Sequence, residues 1–102
     1  MSDIREVRNA LLKRILEGEG EAASSDRQSA FTLNGLRSPL RPLIDKVASR
    51  AFAVTDGDVA AAKASLLNED QVFEIVVAAA VGQANRQYEA ALEALVIATS
   101  KE

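Results

Sequence analysis

Apolar residues recur at three- and four-residue steps in four segments of the chain, residues 4–16, 39–53, 55–66 and 69–99. This spacing places them on one face of an α-helix, whereas a half-buried strand requires strict alternation of apolar and polar residues. Residues 31–37 are short and mixed, with a turn signal at Asn34-Gly35, and no second strand-like run follows to make a hairpin, so they predict a turn or a short helical turn. The pattern therefore predicts an all-α fold, a helical bundle of four to five helices with an N-terminal helical arm.

The first segment carries its apolar residues on one face and predicts an amphipathic helical arm over residues 1–17. Residues 18–29 consist mainly of Gly, Glu, Ala, Ser and Asp, and this composition predicts a flexible linker. Residues 30–102 then form the core domain. The apolar face of the arm must pack on the core, on another subunit or on a different protein. We expect it to dock on another copy of the chain, because the linker is long enough to reach one.

Two helix starts are marked by residues that can satisfy the free backbone amides of a first turn. Thr55 with Asp58, and Asn68 with Gln71, have the spacing of a capping box. These signals place the start of a short alanine-rich helix after residue 55 and the start of the last helix after residue 68.

The last predicted helix, residues 69–99, is the longest and the most apolar segment. Its first half is apolar nearly all round, which is typical of a helix in the middle of a bundle. Gly82 in its interior indicates a kink or the close approach of another backbone. One short chain offers few neighbours for such a helix, so we predict a homo-oligomer. A wide apolar stripe along the helix comprises Phe73, Val76, Val77, Ala80, Val81, Ala84, Tyr88, Ala91, Leu92 and Leu95.

Composition narrows the classes of function. The 102 residues carry a net charge of −3, so there is no basic excess for binding nucleic acid. The chain contains no Cys and no His, which removes the thiolate nucleophile, the usual general base and the commonest metal ligands. We therefore predict no metal and no cofactor. The N-terminus lacks a signal pattern, and the apolar runs are far shorter than the ~20 residues that cross a bilayer. These features predict a cytoplasmic protein without a membrane partner.

Several short motifs occur between residues 44 and 95. They are Asp45-Lys46-Val47-Ala48, Val54-Thr55-Asp56-Gly57-Asp58-Val59, Asn68-Glu69-Asp70-Gln71-Val72-Phe73-Glu74, Ala78-Ala79-Ala80-Val81-Gly82, Arg86 and Ala90-Ala91-Leu92. In these motifs the chain resembles the alkylhydroperoxidase D-like (AhpD-like) and carboxymuconolactone decarboxylase superfamily. The resemblance implies an all-α AhpD-like fold and an oligomer, commonly a trimer or a hexamer.

The chemistry of that family does not carry over. Its thiol members have a Cys-x-x-Cys-x-x-x-His motif, and alignment of the family's turn on residues 66–68 places these positions at Ala51, Val54 and Asp58. None of the three residues matches, so the thiol peroxidase cycle is not expected. The decarboxylase branch typically relies on a histidine, which is also missing. The resemblance therefore implies the fold and the tendency to assemble.

Four polar residues are the candidates for a site. In the family a glutamate at the position of Glu74 often faces the active-site pocket and carries a proton; the alternative is an ion pair with Arg50 or Arg86. Arg86 and Tyr88 have the donors to hold a small anionic ligand, but the preferred interpretation is that they are interface or solvated residues.

Two functions from different classes follow from these residues. The preferred interpretation is a non-catalytic oligomeric helical protein of AhpD-like fold that acts in assembly or partner binding, with residues 4–16 as a surface for a protein partner. The alternative is a thiol-independent enzyme or small-molecule binder, distantly related to the carboxymuconolactone decarboxylases, with a pocket around Glu74, Arg86 and Tyr88. A cavity where Glu74 and Arg86 converge from one or two chains would favour the alternative, and a dry, filled core would favour the preferred interpretation.

Overall fold

A computed structural model describes residues 2–64 and 67–100, with side-chain surroundings from residue 5 onward. The described residues form five α-helices and contain no strand: α1 (Ser2–Glu17), α2 (Ser24–Thr32), α3 (Arg41–Ser49), α4 (Asp56–Lys63) and α5 (Glu69–Ser100). Two short 3-10 helices, Ser38–Leu40 and Ala51–Ala53, flank α3. The prediction of an all-α fold with four to five helices is confirmed.

Both predicted capping boxes are confirmed. The Thr55 hydroxyl accepts a hydrogen bond from the Asp58 amide (3.2 Å), and the Asp58 carboxylate accepts one from the Thr55 amide (2.9 Å). Asn68 and Gln71 exchange the equivalent pair of bonds, each 2.8 Å long. Because these residues satisfy the first amides of α4 and α5, the helix starts follow directly from the local sequence. The predicted end of the α4 segment at residue 66 lies outside the described residues.

An ion pair fastens the start of α4 to α3. Lys46 Nζ lies 2.8 Å from Asp58 Oδ2, which also serves the capping box. The hydrogen bonds from Lys46 and from the Thr55 amide hold the pKa of the Asp58 carboxyl below its ordinary value of 3.8. A lowered pKa in the folded state means that Asp58 stabilises the fold at neutral pH and loses this contribution as the pH falls through the lowered pKa.

The core lies where α2, α3 and α4 pack on one face of α5. The largest fully buried side chains are Leu40, Leu43, Ile44 and Ile75. Small residues on α5 let α2 approach closely, and a Cβ added at Gly82 would lie within 2.8 Å of the Phe31 Cα and carbonyl carbon. The close backbone approach predicted at Gly82 is therefore confirmed.

The prediction of a flexible linker over residues 18–29 is wrong in its second half, because α2 begins at Ser24. The helix contains few apolar residues, yet Ala30 is fully buried and Arg27 is only 6% exposed. Contact with α5 stabilises a helix that its own composition does not favour. Only residues 18–23 connect α1 to α2.

The predicted single helix over residues 39–53 is also interrupted. The backbone leaves the helical region at Arg50, with φ −152° and ψ 64°, and continues as the 3-10 helix Ala51–Ala53. Phe52, which the helical spacing places beside the core, is instead 90% exposed. The interruption turns the chain so that Thr55 can adopt the extended conformation of a helix N-cap.

Helix α1 packs on α2 and α5 of its own chain. Ile15 packs against the core, and the Ser24 hydroxyl donates a 2.8 Å hydrogen bond to the Leu16 carbonyl. The inner face of α1 is therefore covered by its own chain, without a second copy. Its outer face remains open, since Val7 is 70% exposed and Leu11 is exposed as well. Docking of residues 4–16 on another copy or on a different protein stays a prediction.

Candidate functional site

Glu74 fastens the connection between α1 and α2 to α5. Its carboxylate accepts hydrogen bonds from the backbone amides of Glu21 (2.8 Å) and Ala22 (3.5 Å). One turn earlier on α5, Gln71 Nε2 donates to the Glu21 carbonyl at 3.1 Å. The partners of Glu74 are thus backbone amides, and not Arg50 or Arg86 as the ion-pair interpretation proposed.

A cleft of ≈ 500 Å³ lies beside Glu74, between α1, the connection and α5. Arg27 lines this cleft and donates from Nη1 to the Ile15 carbonyl at 3.0 Å, at the end of α1 where carbonyls lack helical partners. Its Nε is buried without a hydrogen-bond partner among the described residues. Arg27 could not be predicted from the sequence, because it lies in a segment with no helical pattern.

Carboxylates and guanidinium groups of opposite charge share the cleft. Its lining consists of Arg14, Ile15, Glu19, Gly20, Glu21, Arg27, Phe73, Glu74 and Val77. The Glu74 carboxylate is occupied by backbone amides, and Arg27 is engaged with a helix end. Glu74 thus joins the connection to α5, and Arg27 joins the end of α1 to α2.

Arg86 and Tyr88 take part in two different contacts. Arg86 Nη1 donates to the Phe31 carbonyl at 2.5 Å and Nη2 donates to Gln83 Oε1 at 3.0 Å, so Arg86 fixes the end of α2 on α5. The Tyr88 ring lies 4.7 Å from the Arg8 guanidinium carbon. These contacts make Arg86 and Tyr88 anchors for α2 and α1.

Arg8 connects α1 to α5 through two neighbouring residues. It stacks on Tyr88, and its Nη2 lies 2.6 Å from Glu89 Oε1. A cation over an aromatic face and an ion pair in partly exposed surroundings each contribute about 0.5–1 kcal/mol. By spacing, Arg8 lies between the apolar positions of the arm, and the sequence pattern does not predict these contacts.

The four predicted site residues do not meet within one chain. Glu74 and Arg86 are twelve residues apart on α5, which separates them by about 18 Å along the helix axis. Tyr88 lies beyond Arg86, and Arg50 is exposed at the end of α3. Within residues 2–64 and 67–100 of a single copy, Glu74, Arg86 and Tyr88 therefore do not line a common pocket.

The outer face of α5 carries a long row of exposed apolar residues. We call this row the α5 stripe; it consists of Phe73, Val77, Ala80, Ala84, Tyr88, Ala91 and Leu95. Six of the seven residues are exposed and Val77 is half-buried, with Phe73 67% and Leu95 60% exposed. In the last part of α5, every residue from 87 to 100 is exposed, within the stripe and outside it.

The position of the α5 stripe corrects the expectation that α5 is enclosed by other helices. The buried face of α5 is formed by Val72, Ile75, Ala78, Ala79 and Gly82. These residues lie on the opposite side of the helix from Phe73 and Ala84. Among the described residues of one copy, the core therefore packs on one face of α5, and the second apolar face is largely exposed, with Arg8 stacked on Tyr88 at its edge.

The described residues contain no group of three or more acidic side chains arranged to hold a metal ion. Within residues 2–64 and 67–100, none of the helices combines the length and the apolar character needed to cross a membrane.

Comparison with known proteins gives no relative for this chain. No family model matches it, and neither a curated protein nor a solved structure matches it. The resemblance to the AhpD-like superfamily therefore stays a prediction from the motifs of residues 44–95.

We expect Glu74→Ala to release the connection between α1 and α2. The amides of Glu21 and Ala22 lose their acceptor, which costs about 1 kcal/mol for a partly exposed, charge-assisted hydrogen bond. Hydrogen exchange followed by NMR should show faster exchange of these two amides. Glu93→Ala, which removes an exposed glutamate from the same helix, is the control. Equal exchange rates in the two variants would show that Glu74 does not hold the connection.

Proposed function

We propose that this protein is a non-catalytic helical subunit of AhpD-like fold that self-associates and acts in assembly or partner binding, with the cytoplasm as its location. The α5 stripe is the observation that carries the proposal. A long helix with one face in its own core and a second apolar face in solvent is typical of a subunit that lacks its neighbour.

The size of the exposed surface supports self-association. Phe73, Tyr88 and Leu95 are 67%, 43% and 60% exposed, and with the three alanines the α5 stripe offers roughly 500 Å². This area lies toward the upper end of the about 300–600 Å² that the largest apolar patch of a monomer covers, and such patches are often functional. Two such surfaces in contact would bury roughly 1,000 Å², the lower bound for a specific interface.

The alternative, an enzyme or a small-molecule binder, receives less support. The chain has no Cys and no His, and the contacts of Glu74, Arg86 and Tyr88 are made to three different segments. Each of these side chains has a stabilising partner that accounts for its position. We therefore favour the role in assembly.

Ala84→Arg tests the proposal. Ala84 lies at the middle of the α5 stripe, where burial of an unpaired guanidinium would weaken association about 100-fold or more. Light scattering of the unaltered protein should give a multiple of 10.9 kDa at tens of micromolar, and Ala84→Arg should give a mass near 10.9 kDa. Circular dichroism should report the same helix content for both.

Ala90→Arg is the matched control, because Ala90 is an exposed alanine on another face of α5. It introduces the same charge and should leave the mass of the oligomer unchanged. A mass near 10.9 kDa for the unaltered protein at these concentrations would overturn the proposal. Equal dissociation by both arginine variants would show that the α5 stripe is not the contact surface.

A further inference from the structure

We infer that the occupant of the α5 stripe is the α5 helix of a second copy, lying antiparallel, with the two-fold axis of the pair passing beside Ala84. The inference rests on the proposed self-association and specifies its geometry.

The first argument is the symmetry of the α5 stripe about Ala84. Phe73 and Leu95 each lie eleven residues from it, Val77 and Ala91 seven residues, and Ala80 and Tyr88 four residues. In an antiparallel pair with a two-fold axis at Ala84, each of these residues faces, on the second copy, the residue that lies at the same distance on the other side of Ala84. The α5 stripe thus has the self-complementary order that a closed two-fold interface requires.

The second argument is the size of the facing side chains. In the antiparallel arrangement Tyr88 faces Ala80 and Val77 faces Ala91, so a larger side chain meets a small one in the two inner pairs, and the large Phe73 and Leu95 face each other only at the ends of the stripe. A parallel pair would place Tyr88 against Tyr88 beside facing pairs of alanines, which leaves a steric conflict next to gaps. Alternation of large and small residues across an interface is the arrangement that reaches the density of a protein interior.

The third argument is the approach of the backbones at the centre. Two facing alanines allow helix axes to come within about 8 Å, the lower end of the usual range. The spacing of the α5 stripe is close to the 3.6-residue period, so a straight α5 keeps all seven residues on one side for about 33 Å. Antiparallel helices also align their macrodipoles favourably.

The surroundings of the α5 stripe leave room for this partner. Arg8 of α1 lies against Tyr88 on one side, and Val59 and Lys63 of α4 line a depression next to Phe73 on the other. None of the seven residues of the stripe is charged, so bringing two copies together buries no unpaired charge along it. A second copy is therefore favoured over a charged partner.

Cysteine cross-linking tests the arrangement, since the natural chain has no cysteine. Ala84→Cys places two thiols at the axis, where facing Cα atoms of closely packed helices come within the range of a disulfide of about 4–7 Å. Oxidised glutathione accepts the two electrons and two protons that each new disulfide releases. We expect most of this variant to become a covalent dimer on a non-reducing gel.

Ala91→Cys is the matched control. In the antiparallel pair, position 91 of one chain and position 91 of the other are fourteen residues apart along the helix axis, or about 21 Å, so the two thiols should not cross-link. An equal mixture of Val77→Cys and Ala91→Cys should instead give the mixed disulfide, identified by its mass. Cross-linking of Ala84→Cys together with this mixed pair establishes the antiparallel register.

The outcomes separate this inference from the proposed function. If Ala91→Cys alone cross-links as fast as Ala84→Cys, the helices are parallel, and the inference fails while self-association stands. If light scattering gives an oligomer but Ala84→Cys does not cross-link, the two-fold axis is not at Ala84 and again only the inference fails. If the unaltered protein has the mass of a single chain and no variant cross-links, both fail.

Discussion

Gly82→Ala is expected to lower the free energy of unfolding by about 2–3 kcal/mol, although the same change in an exposed helix raises it by about 1 kcal/mol. A Cβ at this position would lie within 2.8 Å of the Phe31 Cα and carbonyl carbon and would overlap the carbonyl oxygen. These atoms are backbone, so they can move only if the end of α2 leaves α5. The steric cost therefore outweighs the gain in helix propensity.

Gly57→Ala is the matched control for Gly82→Ala. Gly57 lies in the first turn of α4, and a Cβ there would have the Thr55 hydroxyl as its nearest neighbour at 3.6 Å, an ordinary contact. We expect this variant to keep its stability or to gain up to about 1 kcal/mol. Urea unfolding followed by circular dichroism measures both variants. A Gly82→Ala protein as stable as the Gly57→Ala protein would contradict the close approach of α2 and α5.

The second large effect is expected for Ile75→Ala, with a loss of about 3–4 kcal/mol in the free energy of unfolding. Ile75 is fully buried on the face of α5 that packs on α2 and α3. Truncation removes its apolar contacts and leaves a cavity that rigid helices cannot close. For a domain with a typical stability of about 5–15 kcal/mol, this loss is a large part of the total.

Phe73→Ala removes a larger side chain two residues away and provides the comparison. Because Phe73 is 67% exposed, its truncation should cost the single chain less than about 1 kcal/mol. It should instead weaken self-association about tenfold or more, since the side chain belongs to the α5 stripe. Unfolding at low protein concentration and light scattering at high concentration measure the two effects separately. A loss of stability for Phe73→Ala equal to that for Ile75→Ala would mean that Phe73 belongs to the core of one copy.

Sequence periodicity alone does not show which of the two apolar faces of α5 lies in the core. Val72, Ile75 and Ala79 define one apolar face, and Phe73, Val77 and Ala84 define another. Either face fits a core by spacing and hydrophobicity alone. The choice between them depends on which face matches α2 and α3, and the small residues around Gly82 decide it by allowing the backbone of α2 to approach.

The predicted pocket around Glu74 and Arg86 shows which contacts cannot be predicted from the sequence. Glu74 and Arg86 share a helix, and their separation of about 18 Å along it follows from helix geometry once α5 is continuous. Their partners could not be predicted in this way. The Glu21 amide and the Phe31 carbonyl are backbone groups, which carry no signature in the sequence.

The sequence by itself determined the helical class, the starts of α4 and α5 and the extent of the last helix, because spacing and capping act between residues three or four positions apart. The capping boxes at Thr55 and Asn68 depend on such neighbours alone. Only the tertiary structure decided that residues 24–29 are helical, that the chain breaks at Arg50 and that Phe73 faces outward. Each of these features depends on contacts between distant segments, whose free energy outweighs the local preferences of the residues that make them.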